Sequence, residues 1–214
     1  MSNQLSKTYE ASGKSITLTA QDVIDYICPL ATPTEVKMFL EMCAAYGLNP
    51  YVKDAHLVKY KANSPATMVV GKDFYTKTAA SNPTFDGMEA GISVIRTDGS
   101  FHRREGSMLM PGEQLVGGWA KVHIKGRSVP SFDEVAFSEY AGKKYDGSLN
   151  QQWASKPATM IRKCAVVHAL REAFPANFAG LYDSAEMGID TDEVPPATAQ
   201  QTAVEPEQTY EETF

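Results

Sequence analysis

Trp153-Ala-Ser-Lys-Pro-Ala-Thr-Met-Ile-Arg-Lys-Cys-Ala-Val-Val-His-Ala-Leu-Arg-Glu-Ala-Phe174, continued by Pro-Ala-Asn-Phe-Ala-Gly-Leu-Tyr182, decides how the rest of this sequence is read. Ser155 has the chemistry of an N-cap, and Pro157 suits a first helical turn, where its missing N–H would be unpaired anyway. A helix is therefore predicted from here. Met160, Cys164, Val167, Leu170 and Phe174 recur at three- and four-residue spacing, with Ile161, Ala165 and Ala169 widening the stripe, so one broad face is built for burial. Lys156, Arg162, Lys163 and Arg171 lie on or beside the other face, and Pro175 ends the run. Such a helix can anchor a core on one side and hold a polyanion on the other. A solvated surface helix would carry the same pattern.

Upstream, residues 1 to about 15 are polar, and no ordered element is expected there. Ile16–Thr19 reads as a short strand, and Thr19-Ala-Gln-Asp22 has the form of a capping box opening a short helix through Val23, Ile24 and Ile27. Thr32-Pro-Thr-Glu35 repeats that signal more strongly; the helix it opens buries Val36, Phe39, Leu40 and Cys43 and stops at Gly47. After the Asn49-Pro50 turn, Val52–Lys61 and Thr67–Val70 form a hairpin candidate, and Lys72–Ser81 reads as a helix. Asp86–Arg96, Ser100–Leu109 and Gln114–Ile124 suggest a three-stranded antiparallel meander, with a fourth extended piece near Phe132–Phe137. The fold class is therefore α+β: an antiparallel sheet of three to four strands plus a hairpin, N-terminal helices, and the Trp153 helix laid across one sheet face in a β-β-β-α core. Residues 1–185 make one domain, and 186–214, acidic and poor in large apolar residues, read as a disordered tail.

A chain of 214 residues can bury a core without disulfide or metal support. Cys28, Cys43 and Cys164 are odd in number and lie in apolar helical patterns, as buried thiols of a reducing cytosol do. No apolar run is long enough for a membrane span and the first residues are too polar for a signal peptide, so a soluble, intracellular protein is expected. The formal charge of −6 is unevenly spread. Nine of the 26 acids lie in 183–214, which has no Lys or Arg, leaving all 20 basic residues against 17 acids before Asp183. A mildly basic body with an acidic tail suits a nucleic-acid binder better than the pI suggests.

Motifs for covalent chemistry are missing. Gly71-Lys72 lacks the preceding glycine of a phosphate loop and has Asp73 in place of a hydroxyl residue. The histidines and cysteines show no paired spacing for zinc, and no elbow surrounds a serine. Asp86, Glu89 and Glu105 could sit together on adjacent strands as a Mg²⁺ site, so a metal-dependent nuclease is the alternative reading. What recurs is cations interleaved with aromatics: Tyr51 near Lys53, Lys59-Tyr60-Lys61, Lys72 with Phe74, Tyr75 and Lys77, Lys143-Lys144-Tyr145, and Trp153 near Lys156. Cations neutralise phosphates, and aromatic faces stack on bases without sequence preference. Tyr51, Phe74 and Trp119 fit a core better than a stacking platform.

Gly47-Leu-Asn-Pro-Tyr51 with Lys53, Val69-Val-Gly71 with Asp73, Phe85-Asp-Gly-Met88, and Trp153 through Pro157, Met160, Arg162, Lys163, Arg171 and Phe178-Ala-Gly-Leu-Tyr182 together resemble the RecT/Redβ (Bet) family of phage single-strand annealing proteins. The similarity spans about residues 35–185. It implies an ATP-independent, non-enzymatic recombinase of a bacterial host's cytoplasm that coats single-stranded DNA and pairs it with its complement. It implies a homo-oligomer, as ring or helical filament, holding both strands and the annealed duplex intermediate in a basic groove. A partner 5′-to-3′ exonuclease and the host single-strand DNA-binding protein are implied too, with no required cofactor and Mg²⁺ at most a modulator of DNA binding. Carried onto this sequence, the family's cations fall on Lys53, Lys143, Lys144, Arg162, Lys163 and Arg171. With the cation and aromatic pattern, the expected DNA-binding set is Lys53, Lys61, Lys72, Tyr75, Lys77, Lys143, Lys144, Lys156, Arg162, Lys163 and Arg171. The acidic tail is expected to aid solubility or dock a partner.

Overall fold

In the computed structural model, which describes residues 5–189, the organising helix is two helices with a break between them. Helix α5 is Gln151–Ser155 and α6 is Pro157–Ala173, in a chain order in which the two follow β1 (Ser6–Ala11), β2 (Lys14–Thr19), α1 (Ala20–Asp22, continued by a π-helical turn Val23–Ile27), α2 (Pro33–Tyr46), β3 (Ala55–Val58), β4 (Thr67–Val70), α3 (Lys72–Ala80), β5 (Phe85–Ile95), β6 (Phe101–Glu105), β7 (Gln114–Ile124), β8 (Ser131–Ala136) and α4 (Phe137–Tyr140). A last short helix, α7, is Pro175–Phe178. The break falls at Lys156 (φ −137°, ψ 51°) because the residue before a proline is pushed out of the helical region. Ser155 is therefore not the N-cap expected of it. It closes α5, its hydroxyl donating to Gln152 O, while Asn150 Oδ1 caps α5 by accepting from Trp153 N–H at 3.0 Å.

The α+β class is as the sequence indicates, and α6 lies across the four-stranded sheet. The strand order is β6-β5-β7-β8, all antiparallel, so the sheet is not the expected meander. β5 takes the centre because Ile92 and Val94 are fully buried and want a strand on each side, whereas β6 is short and alternately exposed, as edges are. The loop 106–113 then carries the chain back past β5 to begin β7.

Helix α6 can approach β7 this closely only because position 118 is glycine. A Cβ there would stand 2.5 Å from Ile161 O. The close seat buries Met160, Ile161, Cys164, Ala165, Val166, Val167, Ala169, Leu170 and Ala173, more than one stripe of the helix. The far side of α6 is covered in turn by α3 and by residues 181–186.

The N-terminal half matches its local signals. Both capping boxes form, at Thr19/Asp22 and Thr32/Glu35, and Gly47 ends α2 in the left-handed region (φ 63°). Glu35 does more than cap. It also accepts from Ala66 N–H at 2.8 Å and pairs with buried Lys59 at 2.8 Å, stapling α2 to the β3–β4 hairpin and holding its carboxyl down to about 2. Residues 6–11, where the polar composition predicts no element, form β1, which pairs with β2 through all six residues. Tyr9 anchors that hairpin by donating to Leu48 O at 2.7 Å.

The predicted tail begins at 186, yet Glu186 belongs to the packed body, and residues 190–214 lie outside the described residues. Tyr182 O accepts from Val70 N–H at 2.8 Å, which seats the segment beside β4. Its carboxylates then meet α6. Lys163 pairs with Asp183 at 2.9 Å, and Glu186 takes Arg171 and His168 Nε2. The other imidazole nitrogen, Nδ1, reaches Asp133 of β8 at 3.0 Å, so His168 links three elements.

Burial works against charging His168, but the two carboxylates outweigh it and hold its pKa up to about 9. A group whose pKa is raised by folding stabilises fully below its unfolded value, near 6.5, and that contribution is lost as pH rises through 9. Stability should therefore fall between pH 6.5 and 9 by up to about 3 kcal/mol from this residue. Thermal melts of His168→Gln should start lower at pH 6 and show a flatter decline over that interval than the wild type.

Candidate nucleic-acid interface

A groove of about 450 Å³ opens between the Pro50–Val52 turn, the start of α3 and the first turns of α6. Val52, Lys53, Asp54, Gly71, Lys72, Asp73, Thr159, Arg162 and Lys163 line it. Local chemistry builds each wall. Asn49 Oδ1 accepts from Tyr51 N–H at 3.0 Å to start a 3₁₀ turn, which ends at Lys53 in the left-handed region (φ 64°). Asp54, nearly buried, accepts from Asn49 N–H at 3.1 Å and from Lys77 Nζ at 2.6 Å, tying turn and α3 together. Gly71 packs on that turn, its N–H donating to Asp54 O at 2.9 Å.

The cations of the groove differ in what else they hold. The Lys53 ammonium has no hydrogen bond or ion pair among the described residues, and that of Lys72 only a surface pair at 3.2 Å with exposed Asp73. Such a pair is worth little and exchanges readily. Arg162 is steadied by its Nε, which donates to Ala90 O at 3.3 Å, leaving the guanidinium end without a partner among the described residues. Lys163 lines the groove too, but its ammonium is bound to Asp183 and, at 3.1 Å, to Ser184 Oγ. Two helices, α3 and α6, begin at this groove, and unpaired N–H groups at helix starts favour an anion there. Local potential shows at half-buried His56, whose pKa is held below its ordinary value by burial first and then by Lys53 and Lys163.

The structure thus brings together Lys53, Lys72, Arg162 and Lys163 of the expected DNA-binding set. It places the others elsewhere. Lys156 is exposed at the break before α6, Lys61 lies in the exposed β3–β4 loop, and Lys143 and Lys144 stand on a small hairpin closed by the Lys143–Leu149 bridge. None of these four lines the groove.

Three of the expected residues are engaged within the fold. Tyr75 is 0 % exposed, its ring 5.1 Å from that of Phe178, so no base can stack on it. Lys77 is not among the residues lining the groove, and its ammonium serves Asp54 at 2.6 Å. Arg171 donates to Leu181 O at 2.9 Å and to Glu186, and lies 5.0 Å over the Tyr182 ring. It is an internal clamp, because residues 181–186 cover the face of α6 that the helical pattern left to solvent. Among the aromatics, Phe74 and Trp119 are buried as expected. Tyr51 instead is half exposed, its hydroxyl donating to Asp22 at 3.0 Å.

Thr159 is a groove residue that the cation and aromatic pattern did not single out, since it is neither charged nor aromatic, while Gly71 belongs to the Val69-Val-Gly71 block that carries the family resemblance. Tyr145, marked in the sequence beside Lys143 and Lys144, owes its prominence to the fold. It is wholly exposed at the tip of the 143–149 hairpin, in a turn fixed by Lys144 O accepting from Gly147 N–H at 3.0 Å and by Asp146 accepting from Ser148 N–H at 2.9 Å.

The carboxylates considered as a Mg²⁺ site do not assemble. Glu89 is bonded to His123 at 2.7 Å, with Lys121 at 4.0 Å, and Glu105 sits opposite Gly91. Among the described residues no group of three or more His, Cys, Asp or Glu is placed to hold a metal ion, and no helix is long and apolar enough to cross a membrane.

Fold and groove together define a class: a compact α+β module presenting a cationic, shape-fixed groove at the meeting of two helix starts. The RecT family model matches residues 10–199, and the chain belongs to the RecT family. Comparison with curated proteins returned no match. Proteins of this family bind single-stranded DNA and anneal it in recombination of the phage type, and in general they are not catalysts.

The Gly71 seat gives a direct test of how the groove is held. A Cβ at this position would stand 2.9 Å from Lys53 O, so Gly71→Ala should displace the turn and cost about 1–3 kcal/mol. Hydrogen exchange should show the Gly71 amide, now bonded to Asp54 O, losing protection before the core of the sheet does.

Proposed function

We propose that this protein holds single-stranded DNA by its sugar–phosphate chain in the α3/α6 groove, bases outward, and pairs it with a complementary strand without a nucleotide cofactor. The observation that carries the reading is the convergence of Lys53, Lys72 and Arg162, none spent on a buried carboxylate among the described residues, at a groove where two helices begin. Annealing needs a grip that ignores base identity, and phosphate contacts from rigid elements provide it. Lys156, Lys61, Lys143 and Lys144 would extend the track beyond one groove, with Tyr145 as an exposed ring against bases. Several copies coating a strand, loaded behind a 5′-to-3′ exonuclease and in exchange with the host's single-strand binding protein, complete the proposed role. Mg²⁺ would act only by screening phosphates.

Cations that bind phosphate and cations that hold the fold should separate in one experiment. For single strands the slope of log affinity against log salt is about 0.7 per phosphate neutralised, so Lys53→Ala, Lys72→Ala and Arg162→Ala should each lower it by about that amount at unchanged stability. Lys163→Ala and Arg171→Ala should instead melt earlier, by about 3–5 kcal/mol where a buried carboxylate is left alone. The reading fails if the first three variants retain oligonucleotides as the wild type does, or if wild-type protein mixed with one oligonucleotide and then its complement does not speed duplex formation.

A further inference from the structure

The Pro50–Val52 turn exposes two large apolar side chains on a backbone that is tied down. Val52 N–H donates to Asn49 O at 3.2 Å, Lys53 N–H to Pro50 O at 3.0 Å and Asp54 N–H to Asn49 O at 3.1 Å, while Pro50 itself is buried. Tyr51 is nevertheless 52 % exposed and Val52 61 %. Single apolar residues at a surface call for no explanation, but this pair stands at the rim of the cationic groove. Val52 is the one large apolar side chain among the described residues that line it, and Lys53 follows directly.

Tyr51 is held at its far end too. Its hydroxyl lies 3.0 Å from Asp22 Oδ2 and 3.3 Å from Thr17 O, and Asp22 is itself fixed by the capping box at Thr19. The ring is therefore fastened through both backbone and hydroxyl, with about half of the residue left to water. A side chain that is already immobile loses little freedom when something flat lies on it, which is what a stacking platform requires. Neither Tyr51 nor the two residues that hold it line the groove. The turn is thus a lip, with phosphate-binding groups on one side and the ring on the other.

We propose that Tyr51 and Val52 form a nucleobase site: the strand whose phosphate meets Lys53 carries its base over Val52 onto the Tyr51 ring, a role that rests on the groove holding single strands as set out above. A nucleotide carries phosphate and base on opposite sides of its sugar, so a cation and a ring two residues apart on one turn can engage both. Stacking uses the face of a base and leaves its hydrogen-bonding edge open, so a base resting on Tyr51 can still meet its complement. It is also indifferent to sequence, because every base has such a face. Tyr75, the ring expected in this role, lies in the core, and Tyr51 is the one that the fold leaves at the surface.

Two oligonucleotides of equal length, one of thymidine nucleotides and one of abasic sites, carry the same phosphates and differ only in their bases. Fluorescence anisotropy of the labelled strands with full-length protein should show the wild type holding the thymidine strand more tightly. Tyr51→Ala should close that gap by roughly tenfold, with the slope of log affinity against log salt as in the wild type. Tyr51→Leu, which keeps bulk without a flat face, should close it likewise, and Tyr51→Phe, which keeps the ring without the hydroxyl, should retain it. Melting of each variant verifies the fold. Were Tyr51 only a prop for the turn, Tyr51→Ala would lower the salt slope and weaken both strands equally, and that result overturns the proposal. So does a wild type that binds the two strands equally, or a gap that survives both Tyr51→Ala and Tyr51→Leu. Lys53→Ala separates this site from the groove. A lowered slope in that variant beside a missing gap in the wild type overturns the base site and leaves the groove standing, whereas an unchanged slope refutes the groove and the base site with it.

Discussion

The close seat of α6 on β7, which glycine at 118 permits, is the constraint from which most of this structure follows. With no side chain between helix and strand, α6 sinks far enough for its flanks as well as its apolar face to be covered, by the sheet on one side and by α3 and residues 181–186 on the other. Burial of that extent leaves the charged residues of α6 needing partners. Taking a cation out of water costs more than it returns unless a carboxylate or several hydrogen bonds meet it. Asp183 and Glu186 meet that need. Asp183 is 0 % exposed, and burial pushes its carboxyl up against the pull of Lys163.

The same neutralisation shapes the surface available to a polyanion. Of the four cations on or beside α6, Lys163 and Arg171 are engaged by carboxylates, Lys156 stands outside the groove, and Arg162 alone offers its charged end there. The partners of Arg162 come from far away in sequence, Lys53 behind the Asn49-Pro50 turn and Lys72 at the start of α3. Asp54 is what brings these two together, through its bonds to Asn49 and Lys77. Groove geometry therefore rests on a nearly buried carboxylate that itself need touch no ligand. The motifs of the RecT family fall on this framework, since Gly47–Tyr51, Gly71 and the Pro157 helix are the pieces that bound the groove.

Much of the chain was legible residue by residue. Capping boxes at Thr19 and Thr32, the stop at Gly47 and the hairpin across residues 59–66 are decided by bonds spanning a few residues, and these formed as expected. The sheet order was not legible. Alternation marks a strand but is silent about its neighbour, and only the demand of Ile92 and Val94 for cover on both sides puts β5 between β6 and β7. Strand β1, the partner of the strand read at Ile16–Thr19, was missed because its polar residues signal no burial, while the bond from Tyr9 to Leu48 crosses 39 positions.

By itself the sequence determined the local elements, the α+β class, the family and the inventory of cations, because each depends on neighbouring residues or on composition. Tertiary structure decided which of those cations remain free. Charge in a pattern looks the same whether a side chain ends in water or on a buried carboxylate. Lys53, Lys72 and Arg162 differ from Lys77, Lys163 and Arg171 only in what the folded chain places within 3 Å of them, and those neighbours, Asp54, Asp183 and Glu186, are distant along the chain from all but a few of the groups they hold.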